Sequence, residues 1–108
     1  MSLAPEAFRP GLNSGRMDVT AASQSMALPS GGGTLEVVNS SATLPVWFIA
    51  GVGAQIAAIP ASLANGAGWA VGPLLTKRVR INPNADTFAA ISTAAGPSTI
   101  FISRGDGI

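Results

Sequence analysis

From Met17 onward the chain runs in short stretches of β-favouring residues separated by clusters of Gly, Pro, Asn and Ser. The stretches predict strands at Met17–Ala21, Gln24–Leu28, Thr34–Asn39, Pro45–Ala50, Gln55–Ile59, Gly68–Val71, Leu75–Asn82, Asp86–Ser92 and Ser98–Ser103. Their centres recur roughly every 8–12 residues, the spacing of an all-β sandwich or barrel. Two stretches alternate strictly: Val79 and Ile81 point one way with Arg78 and Arg80 the other, and Ile100 and Ile102 share a face opposite Phe101. The punctuation agrees, since Pro29–Gly33, Asn65-Gly66, Asn82-Pro83-Asn84 and Ala95-Gly96-Pro97 each interrupt a continuing element. The predicted architecture is one small all-β domain over residues 17–108, a β-sandwich of jelly-roll type, with a closed barrel as the arrangement that would give the same spacing.

Residues 1–16 carry two prolines and two glycines and no sustained period, which predicts an extended N-terminal arm rather than a helix or strand. Leu3, Phe8 and Leu12 are apolar beyond what a disordered tail normally holds. Two uses fit them: packing back onto their own domain, or docking on a neighbouring subunit. The stretch is not expected to be a secretory signal, because Pro5 and Pro10 break it and no apolar core follows a basic start.

Composition narrows the chemistry. The length, 108 residues, fits one domain. Charged residues make up only 10% and the net charge is +1, so repulsion would do little to keep separate copies apart. There is no Cys, His or Tyr, which excludes thiol and histidine nucleophile systems, thiolate and imidazole metal sites, and the commonest general acid-base group. The five carboxylates, Glu6, Asp18, Glu36, Asp86 and Asp106, are spaced 12 to 50 positions apart and form no local pair. No catalytic, cofactor or metal site is expected, and the chain is read as a non-enzyme.

No charge falls anywhere from Val37 to Thr76. A membrane helix would have to come from the apolar run Val46–Ile59, which is 14 residues long and bounded by Pro45 and Pro60. A helix needs about 20 residues to span a hydrocarbon core. Two strands joined by a turn at Gly51-Val52-Gly53 fit better, because both prolines then sit at strand ends. A small holin-like membrane protein is the alternative for this stretch.

Arg104-Gly105-Asp106 matches an integrin-binding tripeptide, but a turn or tail after the last strand accounts for it. Gly31–Gly33 fits no phosphate cradle, for no Lys-Ser or Lys-Thr follows. Lys77, Arg78 and Arg80 are too few, with only Phe88 and Phe101 to interleave, for nucleic-acid binding; pairing with Asp86, Glu36 or an acidic partner patch is expected. Trp47 and Phe48 must face opposite sides of one strand, so one serves the core and the other needs separate cover. With Trp69 they are candidates for a subunit interface, which favours aromatic residues and is poor in Lys and Glu.

From Thr34 onward the chain resembles the small virion proteins encoded beside capsid genes in tailed bacteriophages. The resemblance rests on Val38-Asn39-Ser40-Ser41 followed by Pro45-Val46, on Asp86–Ser92, and above all on the closing Ala94–Gly107 segment with its Thr-Ile-Phe-Ile-Ser-Arg-Gly-Asp-Gly run. It implies a head decoration or cement protein on the virion capsid surface, made in the bacterial host cytoplasm. Its partner would be the major capsid protein, with self-association as a homo-oligomer, a trimer by the family's habit, and no nucleic acid or membrane partner. The interface residues expected on this reading are Leu3, Phe8, Leu12 and Met17 on the arm, Arg9 and Arg16 anchoring it to acidic groups, and Trp47, Phe48 and Trp69. A tail, neck or fibre-anchoring component is the alternative within the same resemblance.

Overall fold

The computed structural model describes residues 9–28, 31–59, 68–94 and 98–106. Among them are eight strands: β1 Arg9–Val19, β2 Gln24–Ala27, β3 Thr34–Asn39, β4 Val46–Gly51, β5 Trp69–Val71, β6 Thr76–Arg80, β7 Thr87–Ser92 and β8 Ser98–Asp106. They form two antiparallel four-stranded sheets, ordered β1-β8-β3-β6 and β2-β7-β4-β5. The pairs β1 with β8, β2 with β7, β3 with β6 and β4 with β5 are those of one long hairpin rolled up on itself. Lateral pairs β3–β8 and β4–β7 close the roll. This is the jelly-roll arrangement of a β-sandwich, as the spacing predicted.

Alternation along the strands builds the core. Val19, Leu35, Val37, Ile100 and Ile102 point inward from the first sheet and meet Val46, Phe48, Val71, Phe88 and Ala90 from the second. Burying each large aliphatic or aromatic side chain contributes about 1.5–3 kcal/mol. The Phe48 ring lies 5.7 Å from Phe88 and 5.6 Å from Trp69, so the second sheet's inner face is held by aromatic packing.

Four sequence readings change. The first sheet's edge strand begins at Arg9 rather than Met17, with Arg9, Pro10 and Ser14–Arg16 paired to β8, while residues 1–8 of the expected arm lie outside the described residues. Pro10 and Gly11 hid this start: a register shift between Pro10 and Ser14 breaks the period, and an edge strand tolerates a proline whose missing N–H would face outward. Gln55–Ile59 is not a strand, because both sides of β4 are already taken, by β7 and β5. A membrane helix over Val46–Ile59 is likewise overturned by β4, and among the described residues no helix is long and apolar enough to cross a membrane. Lastly, Arg104-Gly105-Asp106 is the end of β8, not a turn or tail beyond it.

Candidate interaction surface

The chain's charges are divided between the sheets. β1, β3, β6 and β8 carry Arg9, Arg16, Asp18, Glu36, Lys77, Arg78, Arg80, Arg104 and Asp106, while β2, β4, β5 and β7 carry none. We refer to the charged sheet and the neutral sheet accordingly. On the charged sheet's outer face Arg78 Nε donates to Glu36 Oε2 at 2.7 Å, the pairing expected for the basic cluster. Arg16 and Asp18 make a looser, exposed contact at 3.4 Å. The Thr99 hydroxyl donates to Asp18 at 2.7 Å, and with the Arg16 charge it holds that carboxyl below its ordinary range. Phe101 stands exposed among these groups.

The neutral sheet's outer face is mainly apolar, with Ser25 and Thr87 as polar members. Trp47 lies across from Ile91 and Ala70, and Ile49 across from Ala89. After β4 the chain turns back over this face. Asp86 fixes the turn: its backbone N–H donates to the Gly51 carbonyl at 3.0 Å, and its carboxylate accepts from the Gly53 N–H at 2.9 Å. That N–H and the Thr87 hydroxyl hold Asp86 below the ordinary carboxylate range. Gly51 continues the outward set of Trp47 and Ile49, and a Cβ there would meet the Gln55 amide nitrogen at 2.8 Å, so Gln55 lies on the outer side. Further on, the Ala57 N–H donates to Ser23 Oγ at 3.0 Å, beside the start of β2. Residues 52–59 are therefore a strap on the neutral side, and they turn Val52, Ile56 and Ile59 into solvent at 56%, 80% and 39% exposure.

Each end of the roll is tied by a buried polar residue. At one end Arg104, 2% exposed, donates from Nε to the Gly32 carbonyl at 2.9 Å, from Nη1 to Ala85 and from Nη2 to Pro83 at 2.8 Å. The Gly31–Gly33 loop closes on it so tightly that a Cβ at Gly32 would fall 2.1 Å from the Gly105 carbonyl oxygen. Asn39 does the same work at the opposite end, donating to the Leu44 carbonyl at 2.8 Å and Gly72 at 3.2 Å and accepting from the Ser41 N–H at 3.0 Å. There the Gly72–Leu75 turn holds Leu74 at φ +58° and leaves both leucines exposed. No described buried side-chain polar atom lacks a partner.

The predicted interface residues are scattered by this arrangement. Leu3 and Phe8 lie outside the described residues, and Arg9 and Leu12 fall on β1. Arg16 is exposed on the charged sheet. Met17 and Phe48 are core residues at 7% and 0% exposure, so neither can present itself to a partner, and Trp69 packs inward against Phe48. Of the three predicted aromatic residues only Trp47 stands on an outer face, half-buried, as alternation required of one of Trp47 and Phe48. The surface residues that sequence reading missed are Val52, Ile56 and Ile59; the missed internal ones are Arg104 and Asn39. Among the described residues no three His, Cys, Asp or Glu come together to hold a metal ion. No protein-family model, curated protein or solved structure matches the chain.

Proposed function

We propose that the chain is a non-catalytic structural component of a tailed-phage virion, a decoration or cement protein that binds the capsid's outer surface and bridges neighbouring major capsid subunits. The observation that carries this reading is the neutral side: a mainly apolar sheet face and strap, with the Asp86 carboxylate at the strap's base and Val52, Ile56 and Ile59 turned into water. Monomeric soluble proteins rarely leave such a patch uncovered, and an assembly covers it. The jelly roll is a common chassis for capsid-associated domains, though the fold alone assigns no role. The sequence resemblance to phage virion proteins supplies the particle.

Bridging stabilises a shell by mass action, since a protein that binds only the assembled form shifts the equilibrium toward it. Apolar burial contributes roughly 25 cal/mol per Å², and simultaneous contacts across a shell multiply the effect. The test is binding of the purified protein to heads that lack it, followed by a copy count on sedimented particles. Saturation on the order of hundreds of copies per head supports decoration, where avidity acts over many sites. A count near a dozen would move the chain to the neck or tail, and no binding would remove the virion reading. Deleting residues 1–8, which precede β1, asks separately whether that stretch carries the contact.

A further inference from the structure

From the division of charge we infer that the neutral side is a self-association surface, where two copies of this chain meet face to face through the strap residues Val52, Ile56 and Ile59. This rests on the reading that the neutral side is covered in the assembled state, and it names the cover. The argument begins with what can face such a surface. The apolar surface around Val52, Ile56 and Ile59 has the Asp86 carboxylate only at the base of its strap, so a charge buried against its apolar part would go uncompensated, which is strongly disfavoured. The surface opposing that apolar part must therefore be free of charge. On this molecule the charged sheet fails that condition, because Arg16, Asp18, Glu36, Arg78 and Arg80 belong to its strands. The neutral side of a second copy meets it.

Pairing of a surface with itself fixes the symmetry. A contact in which the same patch serves both partners is isologous and closes as a twofold dimer, instead of the threefold set implied by the family resemblance. The net charge of +1 supplies no repulsion to hold copies apart.

The sheet edges point the same way. Edge strands are normally guarded by charge, proline or a bulge. The charged sheet has all three: Lys77, Arg78 and Arg80 on β6, and Pro10 with a register shift on β1. The neutral sheet's edges, β2 and β5, carry neither charge nor proline, and both are short. The guarded sheet is thus built to stay open to solvent, and the unguarded one to be covered.

The experiment is sedimentation equilibrium of the purified full chain over a range of concentrations, with urea unfolding as a check that each variant folds. The wild type is expected as a concentration-dependent dimer. Ile56→Glu and Val52→Asp, both at exposed positions, should weaken it by roughly tenfold or more in Kd, because each places a carboxylate in the contact. Phe101→Ser, on the charged sheet, should leave it unchanged. A wild type that stays monomeric, a dimer indifferent to Ile56→Glu, or a trimer would each overturn the inference. Head binding by Ile56→Glu separates the two readings. A monomeric wild type whose head binding is lost in this variant assigns the neutral side to the shell. A dimer that never binds heads keeps the inference and removes the virion reading.

Discussion

The charged sheet and the neutral sheet share one core, the charged sheet with the longer edge strands, and they are stabilised and finished differently. On the charged sheet the strand ends are fastened by side chains acting on backbone: Arg104 reaches three carbonyls, and Asn39 at the far end of β3 gathers the loops there. The neutral sheet relies on rings, with Phe48, Phe88 and Trp69 packed on its inner face and apolar side chains again on its outer one. A sheet with polar atoms to satisfy must place each partner in a defined direction, and so it can face water. A sheet whose faces are mainly apolar, with few polar groups such as the Ser92 hydroxyl bonded to the Pro45 carbonyl, is less demanding of what packs against it, which suits it to burial on both sides. The low overall charge is therefore a property of one side of the sandwich.

The largest expected effect tests the aromatic half of this contrast. Phe48→Ala removes a ring with no exposed surface and leaves Phe88 and Trp69 without their common neighbour. A loss of about 3–5 kcal/mol in urea unfolding is expected for a buried Phe truncated to Ala. A loss below about 1 kcal/mol would mean that the neutral sheet is not held by its rings. Trp47→Ala on the outer face of the same strand should cost much less in the isolated domain, and the difference between the two measures how completely the faces are separated.

Arg104→Met tests the other half. The methionine fills part of the space but donates nothing, so the buried carbonyl of Ala85 loses its partner while those of Gly32 and Pro83 lie closer to solvent. An unsatisfied buried acceptor costs about 1–3 kcal/mol, and a total of about 2–3 kcal/mol is expected by thermal or urea unfolding. Arg104→Lys should recover only part of it, since one ammonium cannot span three carbonyls as a planar guanidinium does. Full recovery by lysine would show that the charge matters and the fork does not, which would blur the contrast between the sheets.

How much of this was legible in the sequence depends on whether the signal was periodic. The strands with clean alternation, β6 and β8, and the sandwich itself follow from a two-residue repeat between turn residues. Carried two residues past Ile102, the same repeat puts Arg104 on the core side, but the glycines beside it made a turn the simpler reading. The first part of β1, before Met17, was hidden because a proline and a bulge erase the repeat on an edge strand. The strap was misread as a strand because Gln55–Ile59 has strand-like composition, and only the pairing of β4 on both sides excludes it. Charge segregation is invisible along the chain, where Glu36 and Lys77 merely flank a long neutral stretch; it emerges when rolling the hairpin brings β1, β3, β6 and β8 into one sheet. The site residues fared worst for the same reason. Aromatic composition marks what is valuable to bury, but whether the burial is internal or between chains is decided by the face, and Phe48 and Trp69 turned inward.

The smallest expected effect concerns acid, and it probes the point where charge touches the neutral side. Asp86 anchors the turn that launches the strap, accepting from the Gly53 N–H and from the Thr87 hydroxyl, and these hold its carboxyl below the ordinary range. A carboxyl depressed in the folded state contributes stability that is fully present above its unfolded pKa and is lost as pH falls through the folded one. Asp18, depressed by Thr99 and Arg16, contributes on the charged sheet with the same sign. Unfolding free energy should thus decline as pH drops below the usual carboxylate range, and both Asp86→Asn and Asp18→Asn should make that decline shallower. Both groups are solvent-exposed, so the changes are small. The comparison lies in self-association measured over the same pH range: protonating Asp86 removes the charge that strengthens the Gly53 anchor and so loosens the turn at Val52, whereas protonating Asp18 loosens a pair on the sheet that faces water. Asp86→Asn should flatten the acid dependence of the dimer and Asp18→Asn should leave it as it is, because an asparagine carbonyl still accepts from the Gly53 N–H at every pH. Equal effects of the two substitutions would mean that the strap's geometry does not depend on its anchor.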